Sequence, residues 1–337
     1  MTIKDIARMA NVSTATVSRV INSSGYVSEK TRARVLAVIE ATNFKPNAVA
    51  RSLITNLTKM VAVIVPDLEN EFFAKVIAGI SHVAKKHGYT AATLSSFEHP
   101  TDEVRLLDTI MRQRVDGLLM TPVSEHSART ADMLAQVRRM GVPVVLIDRD
   151  IAESDFSGVF VDNFDASYEA VGALIENGHQ QIAIVTGPYS STPGRERTEG
   201  YKRALADRGM SLNPAYVIPG NFKWDGGYRA AEAIFAMPGN RRPTAVFLSN
   251  NLTSIGFLQY MMAHDLQPGR DIALIGFDDI DVLNRLGIPL SVVRRDAYQQ
   301  GIKAMELLCG EMRVRTARKS PERVMLKCTL VLRGSEK

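Results

Sequence analysis

Cysteine, tryptophan and long apolar runs are scarce or absent in this chain of 337 residues. Cys309 and Cys328 are too few for a disulfide framework, and neither lies in a C-x-x-C motif or a cysteine/histidine cluster with metal-binding spacing. No stretch approaches the roughly 20 apolar residues of a transmembrane helix. The first residues also lack the apolar segment of an export signal. We therefore expect a protein of the cytoplasm with reduced thiols and no membrane contact.

Motifs of common enzyme classes are missing as well. Residues 187–191, Gly-Pro-Tyr-Ser-Ser, lack the spacing and the lysine of a phosphate-binding loop, and neither G-x-S-x-G nor H-E-x-x-H occurs. Asp278, Asp279 and Asp281 resemble a metal cluster, but alternation along a strand would place the first two on opposite sides. With no visible pair of nucleophile and base, we expect no enzyme, no cofactor and no metal site.

Positive charge is concentrated at the N-terminal end. Residues 1–59 hold nine basic and three acidic side chains, a net charge of +6, whereas the whole chain carries +5. The remaining residues are therefore close to neutral. This asymmetry indicates that the N-terminal end binds a polyanion.

The length of the chain predicts two or three compact units.

The first 45 residues carry the pattern of three short helices. Thr2, Ser13 and Ser28 are each placed to cap a helix, and Asp5 can complete a capping box with Thr2. A turn at residues 11–13 separates the first two helices, and the second exposes small polar residues and an arginine. This is the geometry of a helix-turn-helix that inserts a helix into the major groove, although a plain helical hairpin can share the pattern.

From residue 60 onward, continuous apolar runs alternate with segments of helical length. Such runs are typical of strands buried on both faces, and the alternation predicts parallel sheets with right-handed crossovers. Their number exceeds one ordinary sheet, so we expect two doubly wound lobes. The predicted strands are 60–65, 91–94, 117–120, 142–147, 159–161, 182–185, 245–248 and 272–277; the predicted helices are 72–87, 103–114, 165–177, 197–208, 226–235 and 254–264.

Three N-terminal motifs and several core motifs stand out in the chain. The N-terminal motifs are T-I-K-D-I-A at 2–7, N-V-S-T-A-T-V-S-R-V-I-N at 11–22 and P-N-A-V-A-R-S-L at 46–53; the core motifs are 115–119, 178–179, 184–188, 200–201, 243–247 and 275–279. Together they make the chain resemble the lactose-repressor/galactose-repressor (LacI/GalR) family.

The resemblance spans nearly the whole chain and implies an α/β protein with an all-α helix-turn-helix headpiece and a two-lobed, doubly wound core like that of periplasmic binding proteins. It implies a headpiece at 1–45, a hinge helix and linker at 46–59 and an effector-binding core at 60–337. Within the core we expect an N-lobe of about 60–160 and 291–321, and a C-lobe of about 161–290 and 322–337.

The resemblance also assigns roles in the headpiece. Thr14, Ala15 and Arg19 would read bases, since arginine suits a bidentate contact to guanine and a methyl group suits the thymine methyl. Polar side chains around them would hold phosphates and set register, or serve as ordinary caps and turn residues. The full set of candidate DNA-binding residues in the headpiece is Thr2, Lys4, Ser13, Thr14, Ala15, Thr16, Ser18, Arg19, Asn22 and Thr31.

Residues 46–53 resemble the family's hinge helix, which folds on the operator and places a leucine in the minor groove. Leu53 would be this wedge, unstacking a central step and bending the site; the alternative is an apolar linker residue under the core. The hinge residues implied to contact DNA are Asn47, Ala50, Arg51 and Leu53.

For the core, the resemblance implies that an effector binds between the lobes, where the strands of open α/β sheets end. Aromatic faces and hydrogen-bonding side chains in such a cleft suit a polyol. The implied effector-binding residues are Phe72, Phe73, Asp148, Arg197, Phe222, Asn250 and Asp278.

The sequence departs from the family pattern at several core positions. Arg295-Asp296, preceded by Arg294, replaces the usual Gln-Pro, and Ser191 replaces an arginine of purine-binding members, which disfavours a purine. The extra basic residues, with Arg195 close to Arg197, suggest an effector bearing a carboxylate or phosphate. They could instead pair with acids on the lobe surface.

We therefore predict a homodimeric repressor whose headpieces bind a pseudo-palindromic operator and whose carbohydrate-like effector is a sugar, sugar acid or sugar phosphate. Residues 329–337 form a strand and a polar tail without room for heptads, which favours a dimer over a tetramer. The alternatives are a solute-binding module, a sugar-converting enzyme that retains a headpiece, and a regulator that senses a protein partner.

Overall fold

The computed structural model describes residues 1–22, 24–44, 57–313 and 320–337, without the side chain of Asn22. The chain forms two compact units, Met1–Thr58 and Lys59–Lys337. We call them the headpiece and the core, and describe each by itself.

Within its described residues, the headpiece contains the three helices predicted for residues 1–45: α1 (Ile3–Met9), α2 (Thr14–Asn22) and α3 (Glu29–Ala41). Thr2 and Asp5 form the expected capping box. The Thr2 hydroxyl accepts a hydrogen bond from the Asp5 backbone amide, and the Asp5 carboxylate accepts one from the Thr2 backbone amide. Ser28 caps α3. A small apolar core holds the three helices together; its buried members are Ile6, Ala7, Ala10, Val17, Val20 and Val35.

The first lobe of the core, the N-lobe, is a six-stranded parallel sheet of order β11-β5-β4-β3-β1-β2. Its strands are β1 (Met60–Val65), β2 (Thr90–Ser95), β3 (Gly117–Met120), β4 (Val144–Ile147), β5 (Ser157–Val161) and β11 (Arg323–Leu326). Its helices are α4 (Glu71–Lys86), α5 (Pro100–Arg112), α6 (Ala128–Arg139) and α12 (Ala297–Arg313). Helices α4 and α12 bury one face of the sheet, and α5 and α6 bury the other.

The second lobe, the C-lobe, repeats this architecture with strand order β12-β10-β9-β8-β6-β7, in which only β12 is antiparallel. Its strands are β6 (Ile182–Thr186), β7 (Val217–Pro219), β8 (Ala245–Leu248), β9 (Ala273–Phe277), β10 (Ser291–Arg294) and β12 (Thr329–Val331). Its helices are α7 (Asn163–Glu176), α8 (Thr192–Ala206), α9 (Trp224–Phe235), α10 (Asn251–Ala263) and α11 (Asp281–Arg285). The two doubly wound lobes are confirmed.

Two segments lie in the opposite lobe from the one expected. Residues 291–294 were assigned to the N-lobe, but β10 pairs with β9 of the C-lobe sheet. Residues 323–326 were assigned to the C-lobe, but β11 pairs with β5 of the N-lobe sheet. The chain therefore crosses between the lobes after β5, after β10 and after β11, and the side chains that follow β10 stand at the junction of the two lobes.

Helices α4 and α12 cross at two glycines. A Cβ added to Gly301 would lie 2.0 Å from the carbonyl oxygen of Val76, and one added to Gly79 would lie 2.1 Å from that of Tyr298. The two backbones are therefore in direct contact, which no larger residue would allow. This crossing fixes α12, and hence the end of the β10–α12 crossover, against the N-lobe sheet.

Candidate effector site and DNA-binding surface

A cleft of about 500 Å³ opens between the carboxyl ends of the strands of the two lobes. This is the position at which open α/β sheets bind ligands, and the volume suits a small molecule. Every effector-binding residue expected from the sequence lines it: Phe72, Phe73, Asp148, Arg197, Phe222, Asn250 and Asp278.

Helix caps position several of these side chains. Asn70 caps α4 by accepting from the Phe72 amide at 2.9 Å, and this places the edge-to-face pair of Phe72 and Phe73 at the cleft. Asn250 caps α10 and also donates through Nδ2 to the carbonyl oxygen of Phe222 at 3.1 Å. The amide of Asn250 is thus held by two backbone segments of the C-lobe.

The backbone at the cleft adopts left-handed conformations at residues other than glycine. Asp148 has φ 66°, Asp278 has φ 75°, and Asn221 and Phe222 have φ 53° and 58°. Aspartate and asparagine tolerate this region, whereas a phenylalanine there is uncommon. Such residues cluster at binding sites, where the surrounding structure holds them. The turns at the ends of β4 and β9 direct both carboxylates into the cleft.

Arg295, which was not among the predicted site residues, lies at the centre of the cleft. Its Nε and Nη2 donate to the two carboxylate oxygens of Asp278 at 2.5 and 3.3 Å, and its Nη1 donates to Asp148. The guanidinium lies 3.5 Å from the centroid of the Phe72 ring. Burial alone would lower the pKa of Arg295, but the charges of Asp148 and Asp278 raise it well above its ordinary value. The signal for this residue was its departure from the family's usual glutamine.

The other two basic residues that suggested an anionic effector lie elsewhere. Arg294 is exposed and lines a second cleft on the far side of the crossover. Arg195 donates to both carboxylate oxygens of Glu125, at 2.7 and 3.1 Å, outside the effector cleft. Of the three extra basic residues Arg195, Arg294 and Arg295, Arg295 is therefore the one that adds positive charge at the effector site.

Arg149 is a second residue that the sequence did not single out. It is buried, follows Asp148 directly, and forms a bidentate pair with Glu98 at 2.6 and 2.8 Å. Its guanidinium lies 5.9 Å from the centroid of the Phe222 ring. Neither residue falls in a motif that marks a binding site, so only the fold brings this pair to the cleft.

Arg197 is buried, and no carboxylate among the described residues contacts it directly. It donates through Nε to Oδ1 of Asn163 at 2.9 Å and through Nη1 to the carbonyl oxygen of Ser249 at 2.6 Å. The guanidinium stacks on the Phe277 ring at 3.4 Å. Burial and the nearby charge of Arg295 lower the pKa of Arg197 to about 10. Arg197 is thus a buried cation of the cleft whose described hydrogen-bond acceptors are neutral.

The three neighbouring aspartates at the end of β9 have separate cationic partners. Asp278 accepts from Arg295, Asp279 accepts from Arg333 at 3.0 Å, and Asp281 lies 3.0 Å from the Lys75 ammonium. Each carboxylate belongs to a different ion pair.

In the headpiece, the side chains of Thr14, Ala15 and Arg19 are exposed on α2, and Lys4 is exposed on α1. Of the remaining candidates, Thr2 and Ser13 are exposed and occupied by local hydrogen bonds, while Thr16, Ser18 and Thr31 are half-buried. Two of the three expected base readers, Thr14 and Arg19, are thus polar and accessible. The hinge candidates Asn47, Ala50, Arg51 and Leu53 and the Asn22 side chain lie outside the described residues.

Among the described residues, no helix is both long and apolar enough to cross a membrane. Cys309 and Cys328 are not joined by a disulfide, and burial raises the pKa of both thiols. Both are therefore poor nucleophiles at neutral pH.

Two family models match the chain. Residues 2–47 match the bacterial regulatory proteins of the lacI family, and residues 58–333 match the periplasmic binding proteins and sugar binding domain of the LacI family. The ribose operon repressor of Escherichia coli (strain K12) is 33% identical over 334 residues, covering 99% of each chain.

Solved structures agree with this fold. The transcriptional regulator CelR in complex with cellobiose shares 28% identity and a TM-score of 0.73, with 99% of both chains covered. The lac repressor dimer bound to operator and the anti-inducer ONPF shares 24% identity and a TM-score of 0.85, over 100% of this chain and 99% of that one. At that identity the second likeness concerns the fold alone.

Proposed function

This chain belongs to the LacI family of bacterial regulatory proteins, and we propose that it is a cytoplasmic transcriptional repressor controlled by a small carbohydrate-like effector. The single observation that carries the proposal is the joining of a basic helix-turn-helix headpiece to a cleft lined by every effector residue expected from the sequence. The names of its relatives, a ribose operon repressor and a cellobiose-bound regulator, support the same combination.

Two headpieces of a homodimer would occupy the half-sites of a pseudo-palindromic operator. Arg19 would contact a guanine, and Thr14 and Ala15 would contact neighbouring base edges in the major groove. Thr2, Lys4, Ser13, Thr16, Ser18, Asn22 and Thr31 would position the headpiece on phosphates.

The hinge would complete the contact with the operator. Asn47, Ala50 and Arg51 would face the DNA, and Leu53 would be the minor-groove wedge that bends it. Leu53→Ala should lower operator affinity and operator bending together, measured by the mobility of duplexes with the site at different positions. A loss of affinity with unchanged bending would contradict the wedge.

The effector would act by changing how the lobes are arranged. Because binding free energies are coupled reciprocally, an effector that weakens operator binding is itself bound more weakly by the operator complex. We propose that the effector releases the operator, so that the genes are expressed when the compound is present.

The test is the selection of bound duplexes from a random DNA library, repeated with sugars, sugar acids and sugar phosphates. We expect a short pseudo-palindrome whose enrichment collapses with one of these compounds. If no sequence is enriched at either low or moderate salt, the headpiece does not read DNA. An enriched sequence that responds to none of the compounds would contradict control by a carbohydrate-like effector.

A further inference from the structure

Carboxylates in a sugar-binding cleft accept hydrogen bonds from the hydroxyl groups of a neutral sugar. In this cleft two such carboxylates already accept hydrogen bonds from an arginine. Asp148 and Asp278 are the acidic side chains deepest in it, exposed to 4% and 6%, and all three guanidinium nitrogens of Arg295 donate to them. A carboxylate that is paired with an arginine has fewer lone pairs left for a ligand. The deep part of the cleft is therefore poorer in free acceptors than its aspartates suggest.

Among the described residues that line the cleft, the buried side-chain atoms without a hydrogen-bond partner are donors. Among the described residues, Nη2 of Arg197 and Nε of Arg149 are buried and make no hydrogen bond. Both side chains line the cleft, and they are only 1% and 3% exposed. Buried donors are nearly always satisfied in proteins, so an exception at a binding site points to an acceptor supplied by the ligand.

The charge distribution around these donors favours an anion. Glu98 pairs with Arg149, and Asp148 and Asp278 pair with Arg295. In the part of the chain that the structure describes, the hydrogen-bond partners of Arg197 are the neutral groups of Asn163 and Ser249. Arg197 and Arg295 approach the same Phe277 ring, at 3.4 and 5.6 Å from its centroid. Repulsion from Arg295 and burial both disfavour the charge on Arg197, as its lowered pKa indicates. A ligand anion at this point would offset both effects.

We propose, as a refinement that rests on the proposed function, that the effector is a small polyol carrying one anionic group, a carboxylate or a phosphate. Arg197 binds the anionic group through Nη2, with Nε of Arg149 as a second donor. The rings of Phe72 and Phe222 cover the C–H faces of the polyol. Arg295 determines the specificity, because it neutralises the two aspartates that would otherwise repel an anion and accept from a neutral sugar.

The chain provides its own probe for this ligand. Trp224 is the single tryptophan of the sequence, lines the cleft and is 43% exposed. Its fluorescence, with calorimetry as a second readout, reports binding to the whole protein without DNA. The panel consists of ribose, glucose and galactose, each with its aldonate and its terminal phosphate, and inorganic phosphate alone.

We expect at least one anionic compound to bind the wild-type protein at least about tenfold more tightly than its neutral parent. This ratio of dissociation constants corresponds to a difference of about 1.4 kcal/mol in binding free energy. The aldonate and phosphate arms distinguish the two sources of the anionic group. A neutral sugar that binds as tightly as its acid and its phosphate would overturn the proposal. The absence of a saturable response to every anionic compound would overturn it as well.

Arg295→Gln tests the specificity residue, and Arg294→Gln is its matched control. The first should lower affinity for the anionic compound and raise it for the neutral parent, because it frees Asp148 and Asp278. The control removes the same charge from the neighbouring residue, which is exposed outside the effector cleft. It should keep the wild-type ratio of affinities for the anionic compound and its neutral parent. An unchanged ratio in a folded Arg295→Gln protein would contradict the role of Arg295.

The wild-type comparison remains decisive if Arg295→Gln fails to fold. This experiment is also separable from the proposed function. Preference for an anion in the absence of any selected operator would refute the repressor while leaving the ligand class intact. A selected operator with preference for the neutral sugars would do the reverse.

Discussion

Glu125 of the N-lobe and Arg195 of the C-lobe form a bidentate ion pair across the lobe junction, with Nε–Oε1 and Nη2–Oε2 distances of 2.7 and 3.1 Å. Glu125 is 4% exposed, and its carboxylate also accepts from the Thr192 hydroxyl at 3.0 Å. Its backbone amide donates to the Ser190 carbonyl oxygen at 2.8 Å. The loop after β3 is thereby attached to the start of α8, so this pair stabilises the arrangement of the lobes.

Removing the charge of Glu125 should weaken the junction. Glu125→Gln keeps the shape of the side chain but loses the charge-assisted pair, and we expect the free energy of unfolding to fall by about 1–2 kcal/mol. Urea unfolding of the core, followed by Trp224 fluorescence and by circular dichroism, measures the change. Glu176→Gln is the control, because Glu176 pairs with Arg208 at 3.5 Å on the surface and its loss should change little. Equal changes in the free energy of unfolding for the two substitutions would show that the Glu125–Arg195 pair stabilises the protein no more than a surface ion pair does.

The same pair predicts a sensitivity to acid. Burial alone would raise the pKa of Glu125, but hydrogen bonds from Arg195 and Thr192 outweigh it and hold the pKa below its ordinary 4.5. The pKa is lower in the folded protein, so this stabilisation is present above about pH 4.5 and is lost as the pH falls through the folded pKa. The stability difference between wild type and Glu125→Gln should therefore shrink over the acidic range below about pH 4.5. A difference that stays constant over that range would contradict this linkage.

The crossing of α4 and α12 predicts opposite effects for alanine at two glycines of one helix. At Gly301 the added methyl would collide with the backbone of Val76, so Gly301→Ala should destabilise the core by about 1–3 kcal/mol or more. At Gly310 no atom lies within 4 Å of the added Cβ, so Gly310→Ala should stabilise α12 by about 0.5–1 kcal/mol. Thermal unfolding of the two variants compares them directly. Destabilisation by both Gly301→Ala and Gly310→Ala would contradict the prediction that the higher helix propensity of alanine stabilises α12 at the open position.

In the headpiece, Arg19 and Lys4 should differ in the kind of affinity that they support. Arg19→Ala should cost ~1–3 kcal/mol on the selected operator and relax the base preference at one position of each half-site. Lys4→Ala should weaken binding to all sequences alike. It should also reduce by about 1 the slope of the logarithm of the binding constant against the logarithm of the salt concentration. Titrations of operator and random duplexes at several salt concentrations distinguish the two. Equal losses on operator and random DNA for Arg19→Ala would assign Arg19 to the phosphates.

Local sequence signals predicted most of the fold correctly. Apolar runs such as residues 60–65 and 245–248 became buried strands with those limits, because a strand covered on both faces needs no polar residue inside it. The caps at Thr2 and Ser28 also begin helices as predicted. The short strand β7 was not predicted, because it has three half-exposed or exposed residues and no apolar run. The lobe assignment of β10 and β11 was wrong, because it depends on pairing between strands that are distant in sequence.

The sequence by itself determined the helix-turn-helix, the alternation of strands and helices, the basic headpiece and the residues that line the cleft. These follow from local spacing, capping and charge, and from a resemblance that extends along the whole chain. Only the tertiary structure decided which charges in the cleft are already paired. Arg295 pairs with both aspartates, and Arg195 is bound to Glu125 outside the cleft. Arg197 has no carboxylate partner among the residues that the structure describes. Partners separated by up to 147 residues form these pairs. The interaction energy of two charges depends on their distance and burial in the fold, and no local pattern encodes either quantity.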